Sequence, residues 1–286
     1  MSTSSHLKKS KRQAKKFVKD VWDIFWQPQM AILPGQLAFF VILSLVPIIT
    51  LIGYGASFFN ISVEAIIKAL ELNFNPAIVD MVAPIIGGQT IDFNLLIMFI
   101  IMFYIASNGA DSIIITSNEI YNIPQKSWLK RRGKAIFITI IFVLLYLFIL
   151  LVPAFGTKII DAIDYLNIKS VVTSILAMLQ GPISWLVIFL FIKVIYTIAP
   201  DKTIPSSRLN IGAMVTATGW MGITYVYSYY IEHFARYDLF YAGLSNIAVL
   251  MLWIYFLSII FVVGMTLNYR ALEEEMEITG TIERKD

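Results

Sequence analysis

The chain has 286 residues, 58% of them hydrophobic and 14% charged, with a mean hydropathy of +0.75 and a formal net charge of +3. A water-soluble domain carries about 45–50% apolar and about 25% charged residues, so this chain has too little polar surface to cover itself in water. That excludes an ordinary soluble fold, a disordered chain and, with Cys at 0, a disulfide scaffold.

Residues 1–30 read as a basic lead. Ala14, Phe17, Val18, Val21, Trp22 and Phe25 recur at helical spacing, while Lys8, Lys9, Lys11, Arg12, Lys15, Lys16 and Lys19 fill the lead and the opposite face. The pattern predicts an amphipathic helix over 14–25 lying on anionic lipids, where each cation contributes about 1 kcal/mol. A nucleic-acid partner is not expected, because any first span that starts inside needs such a lead.

Six stretches then run without Asp, Glu, Lys or Arg, at 24–63, 93–110, 135–157, 170–192, 209–231 and 239–269. Each meets or exceeds the roughly 18–20 residues a helix needs to cross about 30 Å of hydrocarbon. The run from Leu95 to Ile101 is apolar on every side, unlike the alternation of a barrel strand. The expected fold is therefore all-α and polytopic, with six transmembrane helices at about 32–58, 93–117, 135–156, 171–198, 210–231 and 243–268. Domain boundaries follow as a lead (1–30), a membrane domain (31–268) and an acidic tail (269–286).

Between the first two spans, 61–72 sets Glu64, Lys68 and Glu71 on one stripe against Val63, Ile66, Ile67 and Leu70. Asn75-Pro76 breaks it, and a second apolar stretch over 77–86 is too short to span. Two short interfacial helices on the outer face are expected there.

The second span carries a mostly polar face: Asn108, Asp111, Asn118 and Glu119 recur with Ile115 at helical spacing, with Ser107 and Ser112 beside them. Asp111 lies roughly 15–20 Å before the inner helix end near Tyr121. Lys193 lies about two turns before Pro200, also on the inner half of its helix. Ionisable groups at membrane depth are costly and usually face the protein interior. The expectation is that Asp111 and Lys193 pair across an inward cavity, with Asn108, Asn118 and Glu119 on the same polar pathway; the alternative is a Lys193 that snorkels to the headgroups and an Asp111 bonded to Asn and Ser neighbours. Span five places Gly212, Thr216 and Gly219 on one small-residue face suited to close helix packing. Pro47, Gly181-Pro182 and Gly264 can kink or loosen their helices.

With both ends on one side, 18 Lys and Arg lie on that side and 4 on the other, which places both termini in the cytoplasm. No small-residue cleavage site follows the first apolar run, so that span is expected to be a retained anchor. The catalytic inventory is thin. The histidines are His6 in the lead and His233 in an outer loop, and no metalloprotease, nucleophile-elbow or phosphate-loop motif occurs. No catalytic residue, metal or cofactor is expected, and the chain does not read as an enzyme.

Several stretches together carry a resemblance. Leu37-Ala38-Phe39-Phe40 with Leu43-Ser44-Leu45-Val46-Pro47, Ser117-Asn118-Glu119-Ile120-Tyr121, Tyr196 to Pro200 with Arg208 and Gly212-Ala213, and Tyr241-Ala242-Gly243 with Leu252-Trp253-Ile254-Tyr255 and Gly264 occur in this order. The pattern resembles the YihY/BrkB family of bacterial inner-membrane proteins over about 31–268. The resemblance implies a six-helix plasma-membrane protein with structural roles for Pro47, Tyr196, Pro200, Gly212, Trp253 and Gly264. It also implies an activity that is poorly defined: members once carried a ribonuclease BN label regarded as mistaken, and envelope or lipid-linked transport has been suggested. One departure matters. The family's last span usually reads Gly-Ala-Glu where this chain has Gly264-Met265-Thr266, so no ion coupling carries over to Thr266. The leading expectation is a translocator of an unknown small-molecule or lipid substrate, with a cavity between spans two, four, five and six. A non-transporting scaffold using the lead and tail is second, and a membrane-tethered nuclease third.

Overall fold

The computed structural model describes residues 19–58, 93–144, 169–234 and 242–278, together with Glu64, Ile67 and Lys68. It is all-α, with no strand among the described residues. A short helix α1 covers residues 19–25, followed by α2 (Pro28–Phe58), α3 (Phe93–Ile120), α4 (128–144), α5 (Lys169–Ile198), α6 (Asn210–Phe234) and α7 (Ala242–Ile278). A 3-10 turn, Ser206–Leu209, leads into α6.

Among the described residues, three segments are long and apolar enough to cross a membrane: Pro28–Leu45, Ile100–Ile120 and Ala248–Glu274. Trp185–Ile198 is a shorter apolar helix. The described part of each expected span is helical, with bounds that differ from those expected. Helix α2 begins at Pro28, where proline loses no hydrogen bond because the first-turn N–H groups have no partner anyway. Helix α7 continues ten residues past Asn268 to Ile278, so the start of the acidic tail is helical. The third expected span is helical over 135–144, and the rest of it lies outside the described residues. So do the two expected interfacial segments over 61–86, except that Glu64, Ile67 and Lys68 are helical.

Helix α3 stops where the sequence anticipates, and the backbone shows why. Asn122 takes the left-handed conformation (φ 51°) that asparagine tolerates better than most residues. Its N–H reaches the Glu119 carbonyl at 3.2 Å and Ile123 N–H reaches the Asn118 carbonyl at 2.8 Å, the paired bonds of a Schellman end. The returning chain then starts α4.

Helix α2 packs on α3 and α7, and α6 packs on α7 and α5. The tightest seam is α6–α7. A Cβ on Gly212 would fall on the Gly264 carbonyl oxygen, and one on Gly264 would overlap Thr216 Oγ1. Into this seam Tyr196 of α5 inserts fully buried, donating to the Phe261 carbonyl at 2.7 Å with Thr216 Oγ1 2.8 Å away. A hydroxyl has one proton, so Thr216 donates to Tyr196. Asn268 Oδ1 accepts the Gly212 N–H at 2.7 Å, capping the first turn of α6 from a different helix. The family-pattern residues Tyr196, Gly212 and Gly264 thus meet at one place. Thr266 turns its hydroxyl back to the Val262 carbonyl at 2.8 Å.

In α1, Ile24 is buried and Val21 packs on the core, whereas Trp22, Phe25 and Trp26 are exposed. The expected apolar face is thus divided, with Val21 on the core and Trp22 and Phe25 exposed. Residues 1–18 of the lead lie outside the described residues.

Candidate functional site

Side chains from six helices, α2 to α7, line a partly open cavity of about 250 Å³. Its wall is almost wholly apolar, built from side chains such as Leu37, Phe142, Phe191, Trp220, Ile254 and Phe261. The few polar groups on it are already committed. Ser44, Thr139 and Ser258 donate to the carbonyls of Phe40, Ala135 and Ile254, each one turn back in its own helix. Trp220 Nε1 donates to the Leu257 carbonyl and Trp253 Nε1 to Thr224 Oγ1. No donor is left over on this wall. A buried water needs about two to four polar partners, so the cavity favours an apolar guest over water.

The expected polar pathway does not line this cavity. The lining comes from all six helices rather than from four, and through apolar residues. Asp111 accepts from Arg131 Nε at 2.7 Å, so its partner is Arg131 and not Lys193. Lys193 Nζ instead lies 6.0 Å from the centre of the Phe189 ring, a long cation–aromatic approach. Asn108 Oδ1 accepts from Arg132 Nη1 at 2.9 Å. Glu119 is exposed and lines a separate open cleft with Pro28, Gln29 and Gln36 of α2.

Asn118 belongs to a polar cluster at the basic end of the bundle. Its Oδ1 accepts the Asp201 N–H at 2.9 Å, and its Nδ2 donates to Asp201 Oδ2 at 2.9 Å and to Gln125 Oε1 at 3.1 Å. Asp201 Oδ1 accepts from Lys134 at 2.8 Å and from Lys126 at 3.2 Å. Lys134 also donates to the carbonyls of Ala199 and Pro200, filling acceptors that the end of α5 leaves open. The Asp201 side chain is only 2% exposed. Burial pushes its carboxyl up, but the hydrogen bonds from Lys134, Asn118 and Lys126 overcome that and hold it below the ordinary carboxylate range. The cluster thus locks the ends of α3, α4 and α5 together.

Sequence reasoning missed Arg131, Arg132, Lys134, Asp201 and Asn268. The cations were visible, but as a topogenic loop, and nothing in the spacing assigns them partners. His233 is in the last turn of α6 rather than a loop, its ring stacked on Tyr229 at 4.2 Å. Pro47 sits inside α2, and Trp253 stacks on Tyr227 at 5.1 Å. Among the described residues, no group of three or more His, Asp or Glu side chains could hold a metal ion.

Long apolar helices lining an apolar cavity define a helical membrane protein. The virulence factor BrkB family profile matches residues 21–286, and the chain belongs to that family. It is 27% identical over 258 residues to the ribonuclease-like protein YfkH of Bacillus subtilis (strain 168), covering 88% of this chain and 94% of the relative. It is 25% identical over 263 residues to a UPF0761 membrane protein of Aeromonas salmonicida (strain A449), covering 87% and 86%. No solved structure matches.

Proposed function

We propose that this chain is a six-span plasma-membrane protein that translocates a lipid or other amphipathic solute. The observation that carries the reading is the cavity: about 250 Å³ of partly open apolar space lined by residues of α2 to α7, with no spare donor on its wall. A route for ions or sugars needs polar groups to replace hydration. This wall suits an acyl chain or similar hydrophobic moiety instead. Helices α4, α5 and α6 complete the six spans, and the basic end of the bundle faces the cytoplasm with both termini, a reading supported by the 18-to-4 distribution of cations. On this reading Asp111–Arg131 and Asn118–Asp201–Lys134 are ties that close the inner end, and Glu119 and Lys193 are polar margins of the path. The exposed Trp22 and Phe25 of α1, with Trp26 just after it, seat the basic lead on anionic lipid rather than nucleic acid. The protein acts without catalysis.

Reconstitution tests this reading. Vesicles holding the purified protein and a headgroup-labelled phospholipid are exposed to a membrane-impermeant quencher. Protein-dependent loss of signal beyond the outer leaflet is the expected result. Signal identical to that of protein-free vesicles for phospholipids, lysolipids and free fatty acids would refute it.

A scaffold is the second reading, favoured by the helical extension of α7 to Ile278 with Glu273 and Glu274 exposed. Deleting residues 1–20 and 271–286 separates the two. A scaffold loses its cellular phenotype on deletion, whereas a translocator largely keeps it.

A further inference from the structure

The start of α4 presents a charge imbalance that the cavity does not absorb. Arg131 and Arg132 are adjacent, and among the described residues Asp111 is the carboxylate that answers them, through Arg131. Arg132 is 6% exposed and all its partners are neutral. Its Nη1 donates to Asn108, its Nη2 donates to the Tyr104 carbonyl, and its guanidinium carbon lies 3.7 Å from the centre of the Tyr104 ring. Its buried Nε has no acceptor among the described residues. The nearby Asp201 is already taken by Lys126 and Lys134, and Glu119 lies on the cleft beside α2. A guanidinium stays protonated in proteins, so one positive charge and one donor remain uncompensated inside the fold.

The surroundings indicate what compensates them. Tyr104, on which Arg132 stacks, is exposed, and so are Ile97, Ile100 and Ile101 on the same helix. Phe137 and Ile140 of α4 are exposed as well. In a membrane protein these apolar flanks face lipid, not water. Trp128, Leu129 and Lys130, in the first turn of α4, are also exposed, an aromatic–cation grouping suited to the headgroup level. An anion that reaches the arginines across such a surface brings its own apolar chains.

We propose that Arg131 and Arg132 form a binding site for the phosphate of an anionic phospholipid, with Lys130 at its rim and the acyl chains along the exposed face of α3 and α4. Guanidinium groups match phosphate oxygens through paired donors, and Arg132 has a donor to spare. The site is separate from the central cavity and does not depend on translocation.

Native mass spectrometry of the full chain in mild detergent tests it, with phosphatidylglycerol, phosphatidylcholine and inorganic phosphate as probes. The wild type should retain one phosphatidylglycerol with at least about tenfold preference over phosphatidylcholine, and Arg132→Gln should lose about tenfold of that retention. Replacing Lys8, Lys9 and Lys11 by Gln should leave the retained lipid in place, separating this site from the lead. Millimolar inorganic phosphate should not displace it. Equal retention of the two lipids by the wild type overturns the proposal, and this arm decides the matter even if Arg132→Gln fails to fold. Unchanged retention in a folded Arg132→Gln, loss on substituting the lead, or displacement by inorganic phosphate each overturns it too.

Discussion

Replacing Gly264 by alanine should weaken the α6–α7 seam severely, although alanine is the better helix former. A Cβ at 264 overlaps Thr216 Oγ1 and comes within 2.7 Å of both the Gly212 carbonyl oxygen and the Tyr196 hydroxyl, where ordinary contact begins near 3.4 Å. Restoring that contact parts the helices by at least about 0.7 Å, and a gap of this size forfeits a quarter to a half of each dispersion well along the seam. Overpacking of this kind costs about 1–3 kcal/mol. The Tyr196–Thr216 and Tyr196–Phe261 hydrogen bonds are strained as well, each worth about 0.6–1.7 kcal/mol in a bilayer. Alanine returns about 1 kcal/mol of helix propensity. The net expectation is a loss of about 3 kcal/mol. Gly222 is the internal control, because no atom lies within 4 Å of a Cβ there. Gly222→Ala should be neutral or stabilising by up to about 1 kcal/mol. Unfolding in mild detergent with increasing dodecyl sulfate, followed by tryptophan fluorescence, measures both. If Gly264→Ala is as stable as the wild type while Gly222→Ala behaves as expected, the close approach of α6 and α7 is wrong.

Asp201→Asn should destabilise the protein by about 2 kcal/mol, because it leaves Lys134 and Lys126 facing a neutral amide at a largely buried site. The sign with pH follows from the lowered carboxyl: its contribution is complete above the unfolded-state value of about 3.9 and is lost as pH falls through the lower folded value. Thermal melts from pH 6 downward should therefore converge for wild type and Asp201→Asn only in strong acid. Tyr196→Phe should cost about 1 kcal/mol, since Thr216 can turn to the Ile260 carbonyl 3.4 Å away; a loss above about 3 kcal/mol would mean the hydroxyl does more than tie α5 to α7. Lys193→Met should change stability by less than about 0.5 kcal/mol, whereas Asp111→Asn should cost about 1–2 kcal/mol through Arg131. Equal losses in the two variants, with no further loss in the double variant, would restore the Asp111–Lys193 pair.

The helices were legible because the membrane imposes a coarse rule: uncharged stretches long enough to cross it stand out in any sequence. The end of α3 was legible too, since the residues around Asn122 and Pro124 break a helix by local chemistry. The polar residues of α3 were legible, but three-and-four spacing says nothing about which helix each one meets: Asn118 meets Asp201 after α5, whereas Glu119 lines the cleft beside α2. In the sequence Asp111 was set against Lys193 or against neighbouring Asn and Ser groups, and the arginines at 131 and 132 carried no signal as its partners. Only the placement of α4 beside α3 decides for Arg131. Asn268 capping α6 and Lys134 capping α5 are contacts of residues 56 and 65 positions apart, with no local signal at either end. The cavity was illegible in character for a related reason. Its polar groups look available in the sequence, and only their hydrogen bonds show them spent.

Filling the cavity tests the central claim most directly. Ala106 is 1% exposed and lines it, so Ala106→Leu places three more carbons into apolar space and should stabilise the protein by about 0.5–2 kcal/mol. In vesicles holding wild-type and Ala106→Leu protein at equal density, translocation of labelled phospholipid should fall at least about tenfold in the variant while its stability rises. A variant that is more stable yet translocates at the wild-type rate would contradict the account, because the cavity would then be filled and still not needed.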